Sequence, residues 1–241
     1  ASEVQLDGAS AMVVTFSIPV ASNQQFASLL HLVDETSGKV DGAWELSDSK
    51  TELRLRHLEP ARKLILTVDK NLAGVNGAKL GKELQQKLTT RDIEPSVGFA
   101  SRGSLLPSKV ISGLPVIALN VNKVDVNFFR IKPEALTAFL AEWEGTGAKS
   151  YWESNEFLKK ATLAYTGRFD LSPQRNTREQ ILLPLNGVKE LSQPGVYLAV
   201  MQEAGAYQYS NPVTIFTLSD IGISLHRYHD RLDVFTQALE G

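Results

Sequence analysis

Residues 115–131, PVIALNVNKVDVNFFRI, and residues 213–241, VTIFTLSDIGISLHRYHDRLDVFTQALEG, alternate apolar and polar side chains with a period of two, and shorter runs elsewhere do the same. That period sends successive side chains to opposite faces, so these runs read as half-buried β-strands and not as amphipathic helices. Ile117, Leu119 and Val121 share one face; past a turn at Asn122-Lys123, Val124, Val126 and Phe128 share another. In the last run, a strand with Ile223 and Leu225, a turn near His229-Asp230 and a returning strand with Leu232 and Val234 make a hairpin. A lone hairpin is marginal in water. This one needs a neighbour, from the preceding domain or from further sequence.

Residues 2–91 read as a first module. Met12, Val14, Phe16 and Ile18 form one face of a strand that Pro19 ends, because proline cannot donate to the ladder. Strands follow at 29–33, 44–46, 52–58, 63–68 and 84–89, with a turn at Glu35-Thr36-Ser37-Gly38. Short strands separated by turns suggest an antiparallel sandwich. In TELRLRHL the buried face carries Leu53, Leu55 and His57, with Arg54 and Arg56 toward water, and Trp44 belongs to the core. Residues 71–82 read as a surface loop. The stretch 89–95 lacks alternation and ends at Pro95, which places the module boundary there.

Residues 92–217 read as a second sandwich, interrupted at about 133–166 by a helical insertion. Pro133 opens a helix in which Leu136, Phe139, Leu140 and Trp143 recur at helical offsets. Gly145 and Gly147 end it. Ser154 caps a second helix with a stripe of Phe157, Leu158, Ala161 and Tyr165. Strands resume at 168–171, 180–185 and 195–202, with an Asn186-Gly187 turn.

Chemistry is sparse. The 241 residues are 22% charged with a formal net charge of -2, so the basic footprint of a nucleic-acid binder is absent. No apolar run reaches the roughly 18 residues of a membrane span, and ASEVQLDGAS lacks the layout of a signal peptide. With no cysteine, disulfides, thiolate chemistry and cysteine-ligated metal are excluded. His226 and His229 lie near Asp230 and Asp233, but an offset of three sends strand side chains to opposite faces, and a surface hairpin outweighs a metal site. Residues 98–104, GFASRGS, lack the Gly-Lys-Ser/Thr ending of a phosphate loop, and no Gly-x-Ser-x-Gly elbow occurs. The expectation is therefore a non-enzyme with no catalytic, cofactor-binding or metal residue. The aromatics Trp143, Tyr151, Trp152 and Phe157 carry two readings: packing of the helices on the sandwich, or a partner-docking patch centred on Trp143, Tyr151 and Trp152.

Five stretches together resemble the amino-terminal region of the bacterial alpha-2-macroglobulins: RDIEPSVGFASRGSLLP (91–107), GLPVIALNVNKVDVNFFRI (113–131), GRFDL (167–171), PGVYLAVM (194–201) and SNPVTIFTLSDIGISLHRYHDRLDVFTQALEG (210–241). The resemblance implies tandem immunoglobulin-like or macroglobulin-like β-sandwiches, with residues 218–241 as the first strands of a following domain. It also implies a large periplasmic lipoprotein anchored at the inner membrane, which traps proteases through a bait region and a cysteine–glutamine thioester. This chain has no cysteine, so neither the thioester nor the lipidated residue of that pattern is present and the bait region is not recognisable. The resemblance then implies a scaffold or docking segment. Its partners are host or competitor proteases for the full-length protein and a peptidoglycan-synthesising penicillin-binding protein; no nucleic acid is expected, and a membrane only through a lipid anchor. The alternative is an adhesin or glycan-binding sandwich, which needs aromatics aligned on an exposed face.

Overall fold

The alternating runs form strands in the computed structural model, which describes residues 2–4, 10–100, 104–106 and 113–238, without the side chains of residues 2–4, 104–106, 151, 152 and 154. The chain divides into two units, residues 1–94 and 95–241.

The first unit contains β1 (Ser2–Val4), β2 (Ser10–Thr15), α1 (Phe26–Leu29), β3 (Leu30–Asp34), β4 (Gly38–Lys39), β5 (Trp44–Leu46), β6 (Glu52–Leu58), β7 (Lys63–Val68) and β8 (Leu84–Thr89). They make two four-stranded sheets, ordered β1-β2-β6-β5 and β4-β3-β7-β8. Met12, Leu53 and Leu55 of the first sheet meet Leu32, Leu64 and Leu66 of the second in a single core, against which Trp44 also packs. The turn after β3 is built by Asp34, which is buried and accepts the backbone N–H groups of Thr36 at 2.7 Å and Ser37 at 3.3 Å. Those bonds, with Arg62 beside it, hold its carboxyl below the usual value against the cost of burial. His57 departs from its expected place on the buried face. It has φ +58 and is exposed, the pairing of β6 with β2 slips between Ser10 and Met12, and Leu58 takes the core position instead. A bulge inserts one residue and so changes the phase of the alternation.

The second unit contains β9 (Ser96–Phe99), β10 (Ser104–Leu106), β11 (Leu114–Leu119), β12 (Lys123–Ile131), α2 (Leu136–Glu142), β13 (Gly147–Ser150), α3 (Tyr151–Lys159), β14 (Ala161–Asp170), β15 (Glu179–Leu183), β16 (Gly195–Glu203), β17 (Ser210–Leu218), β18 (Ile221–Arg227) and β19 (Leu232–Ala238). The larger sheet runs β10-β17-β16-β12-β14, with β13 also on β17, and the smaller runs β15-β11-β9. The pairings are antiparallel apart from β10 with β17, which is parallel. Between the two sheets lies a core that includes Val116, Val126, Phe128, Leu183, Tyr197 and Phe216. On β11 the core face carries Leu114, Val116 and Ala118, while Ile117 and Leu119 are half-buried on the other face. Asn120, at φ +54, then resets the phase so that Val121 is buried.

The helical insertion is shorter than the stretch 133–166. A 3-10 turn at Pro133–Ala135 leads into α2, β13 separates the helices, and α3 ends at Lys159. Ser150, not Ser154, is the N-cap of α3, while Ala161 and Tyr165 belong to β14. Threonine, tyrosine and phenylalanine in ATLAYTGRFD favour a strand as soon as β12 offers an edge. β18 and β19 pair with each other in a separate two-stranded sheet.

Candidate partner-docking region

The residues that alternate away from the main core on β12, β16 and β17 are also apolar: Phe129 and Ile131, Val196, Leu198 and Val200, Val213 and Ile215. A sheet apolar on both faces needs a second cover. Helices α2 and α3 provide it, with Leu136, Phe139, Trp143, Phe157 and Leu158 packed on that outer face. Phe139 is fully buried. Its ring stacks on Trp143 at 5.7 Å between centroids and meets Phe157 edge-on at 5.4 Å, and Trp143 meets Phe157 at 5.6 Å. Such pairs add about 0.5–1.5 kcal/mol beyond the area they bury.

This geometry brings Trp143 and Phe157 together and leaves Trp143 half-buried. Tyr151 and Trp152 form the first turn of α3, and their side chains lie outside the described residues. That turn is fixed by a capping box: the Ser150 N–H and hydroxyl donate to the Glu153 carboxylate at 2.8 and 2.7 Å, and the Glu153 N–H donates to the Ser150 hydroxyl oxygen. The Ser150 hydroxyl, together with its backbone N–H, holds the Glu153 carboxyl below its ordinary value. Lys149 of β13 lies between Glu144 at 3.2 Å and Glu153 at 4.0 Å, and Lys160 at the end of α3 bonds Glu142 at the end of α2.

β13 sets what lies next to α3. Its register on β17 pairs Ser150 with Ser210, which puts the start of α3 beside the loop 204–209. That loop carries Tyr207 and Tyr209, 92% and 68% exposed. Reasoning from sequence passed over both. The legible signal was EAGAYQYS, a Gly205 turn followed by two tyrosines between two alternating runs.

The remaining candidates scatter. His226 packs edge-on against Phe235 at 5.2 Å on the terminal hairpin, and among the described residues no group of three His, Cys, Asp or Glu could hold a metal. Gly98 and Phe99 end β9, whereas residues 101–103 of the glycine-rich stretch lie outside the described residues. Trp44 and Trp143 are each packed against a core, so neither lines up on an open aromatic face of the kind a glycan platform needs. Among the described residues no helix is long and apolar enough to cross a membrane.

Two adjoining family models match the chain: the bacterial alpha-2-macroglobulin MG1 domain over residues 1–92 and the bacterial alpha-2 macroglobulin MG2 domain over residues 98–216. The alpha-2-macroglobulin of Escherichia coli K12 is 64% identical over 239 residues, covering 99% of the chain and 14% of that protein. The chain belongs to the bacterial alpha-2-macroglobulin family. A Xylella fastidiosa alpha-2-macroglobulin is 37% identical over 242 residues, covering 98% of the chain and 15% of that protein. Among solved structures, a Salmonella alpha-2-macroglobulin mutant aligns with 55% identity and a TM-score of 0.78 over all of this chain and 14% of its own. The E. coli structure spanning domains MG0-NIE-MG1 aligns with 61% identity and a TM-score of 0.58 over all of this chain and 76% of its own. The chain therefore consists of amino-terminal macroglobulin domains and spans about one seventh of the length of the curated alpha-2-macroglobulins it matches.

Proposed function

We propose that these residues are a non-catalytic scaffold and docking segment of a broad-spectrum protease trap, a periplasmic lipoprotein held at the inner membrane. In this reading residues 2–91 and 92–217 are two structural sandwiches, and residues 218–241 are the entry strands of a third macroglobulin-like domain. The single observation that carries it is the hairpin's uncovered face. By register, Ile221, Ile223, Leu225, Leu232 and Val234 share one face of β18–β19, and each is more than half exposed. An apolar ribbon of this kind is half of a sandwich.

Proteases are the partners of the whole trap. The surface around α2, α3 and the loop 204–209, with Trp143, Tyr151 and Trp152 joined by Tyr207 and Tyr209, is the docking side, and a peptidoglycan-synthesising penicillin-binding protein is the proposed partner there. Hydrogen exchange tests the domain reading. Amides of β18 and β19 exchange freely in the 241-residue chain and become protected when the protein is extended by one further sandwich, on the order of 100 residues. Equal protection in both would refute it. Incubation with trypsin tests the role: the 241-residue chain forms no covalent complex, and a covalent adduct would overturn the account.

A further inference from the structure

β14 is the last strand of its sheet: nine of its ten residues pair with β12 on one side, Ala164 being skipped, and no other described strand pairs with it. Half of its backbone donors and acceptors therefore point outward, the template on which an extended peptide adds a strand. Most of its side chains are exposed or half-exposed, including Thr162, Leu163 at 55%, Thr166 and Arg168.

A second, independent observation lies at its first residues. Thr162, Leu163 and Ala164 form one wall of a cleft of about 330 Å³, which Arg130, Lys132, Glu190 and Gln193 also line. Among the described residues its two cations have no carboxylate partner. Arg130 donates to the Gln193 side-chain oxygen at 2.8 Å and the Pro194 carbonyl at 2.7 Å, and Lys132 donates to the Lys159 carbonyl at 3.3 Å. These neutral acceptors fix the guanidinium in place without an ion pair. Gly195 leaves the room for this, since a Cβ there would come within 3.0 Å of Arg130 Nε. Other basic residues of β12 and β14 are already matched: Arg168 with Asp125, and Lys123 with Asp170. Two cations without ion-pair partners beside an unpaired strand edge suit a ligand that is both extended and anionic.

We propose that β14 docks an extended peptide segment with an acidic side chain. Its backbone adds a strand to the free edge, and its carboxylate enters the cleft between Arg130 and Lys132. Glu190 on the same wall opposes the incoming carboxylate, which keeps the association weak and exchangeable. The register shift between Phe128 and Phe129 leaves Ala164 as the extra residue of β14 and bends the edge there, within the segment on which the peptide adds.

The test is amide chemical-shift titration of the 241-residue protein with a short blocked peptide of alternating threonine and valine bearing one central glutamate. The expected result is shifts concentrated on residues 161–168, with affinity about tenfold weaker for the glutamine version of the peptide. Lys132→Gln and Arg130→Gln each remove that preference, while Glu190→Gln tightens the glutamate peptide roughly two- to fivefold. A peptide N-methylated on its edge-facing amides loses binding. Thermal melts of the variants separate loss of the site from loss of the fold, and Lys132→Gln, at a half-buried residue bound only to a carbonyl, preserves the fold. Equal affinity for the two peptides, shifts that avoid β14, no binding at millimolar peptide, or equal binding of free glutarate would each overturn the proposal.

Discussion

The sheet of β12, β16 and β17 is buried on both faces, whereas the β18–β19 ribbon in the same unit is exposed at nearly every position. Both are strongly apolar and both alternate. They differ in what packs over each of them. Beyond β12 the chain turns through Pro133 into two helices whose aromatics fold back over Ile131, Leu198 and Val213. Among the described residues β18 and β19 pair only with each other, and their aliphatic face stays exposed. In these two regions the alternation itself specifies the strands, while burial is a property of the neighbour. The covered sheet gains stability from its helices that the ribbon lacks.

The sharpest way to break this contrast is to remove the centre of the cover. Phe139→Ala deletes a fully buried ring that touches both Trp143 and Phe157, and the second unit is expected to lose about 3–5 kcal/mol. Urea unfolding followed by tryptophan fluorescence measures this. A loss below about 1 kcal/mol would mean that the helices ride on the sheet without stabilising it.

Next in size is the device that starts α3. Ser150→Ala removes the hydroxyl from the capping box, and a loss of about 1 kcal/mol is expected. Helical amides of residues 151–159 then exchange faster while those of β16 do not. Equal acceleration in β16 would show that helix and sheet open as one unit.

The helix cap also marks the limit of sequence reading in this region. The alternation in 115–131 and the helical spacing of Leu136, Phe139 and Trp143 were legible because each repeats a simple period. The start and end of α3 were not. Ser150 and Ser154 are equally plausible caps by type, and Ala161 and Tyr165 extend the helical stripe as readily as they begin a strand. Only the edge offered by β12 decides between those states, and it is distant in sequence. His57 and Val121 escaped for a related reason: a bulge and a positive-φ turn shift the phase of alternation without altering residue type. The proposed docking region was half legible. The helical aromatics stood out by size, but the loop that carries Tyr207 and Tyr209 is brought to the start of α3 only by the Ser150–Ser210 register.

A smaller effect separates the covered sheet from the ribbon by pH. Arg168 donates to both oxygens of Asp125, at 2.6 and 2.8 Å across β12 and β14, and these bonds hold the Asp125 carboxyl below its ordinary value of 3.8. A depressed folded-state value means the contribution is fully present well above 3.8, fades as pH falls past it, and is gone below the folded value. Asp125→Asn should therefore lower the melting temperature slightly at pH 7 and flatten its decline between about pH 5 and 2. An unchanged acid profile would show that the pair is screened into irrelevance.

The smallest expected effect is the most informative about the ribbon. Leu225→Ser removes a large aliphatic side chain, yet Leu225 is 62% exposed and its cross-strand neighbour Val234 is 56% exposed. In the 241-residue chain the substitution should change stability by no more than about 0.5 kcal/mol. In a protein extended through the next sandwich, the same substitution places a hydroxyl in a core and should cost roughly 2–4 kcal/mol. Paired urea denaturations of the two lengths read out the difference directly. If Leu225→Ser is equally mild in both, that face of the ribbon stays bare in the longer protein, and the contrast between covered sheet and uncovered hairpin becomes permanent, with the aliphatic face left as a surface in its own right.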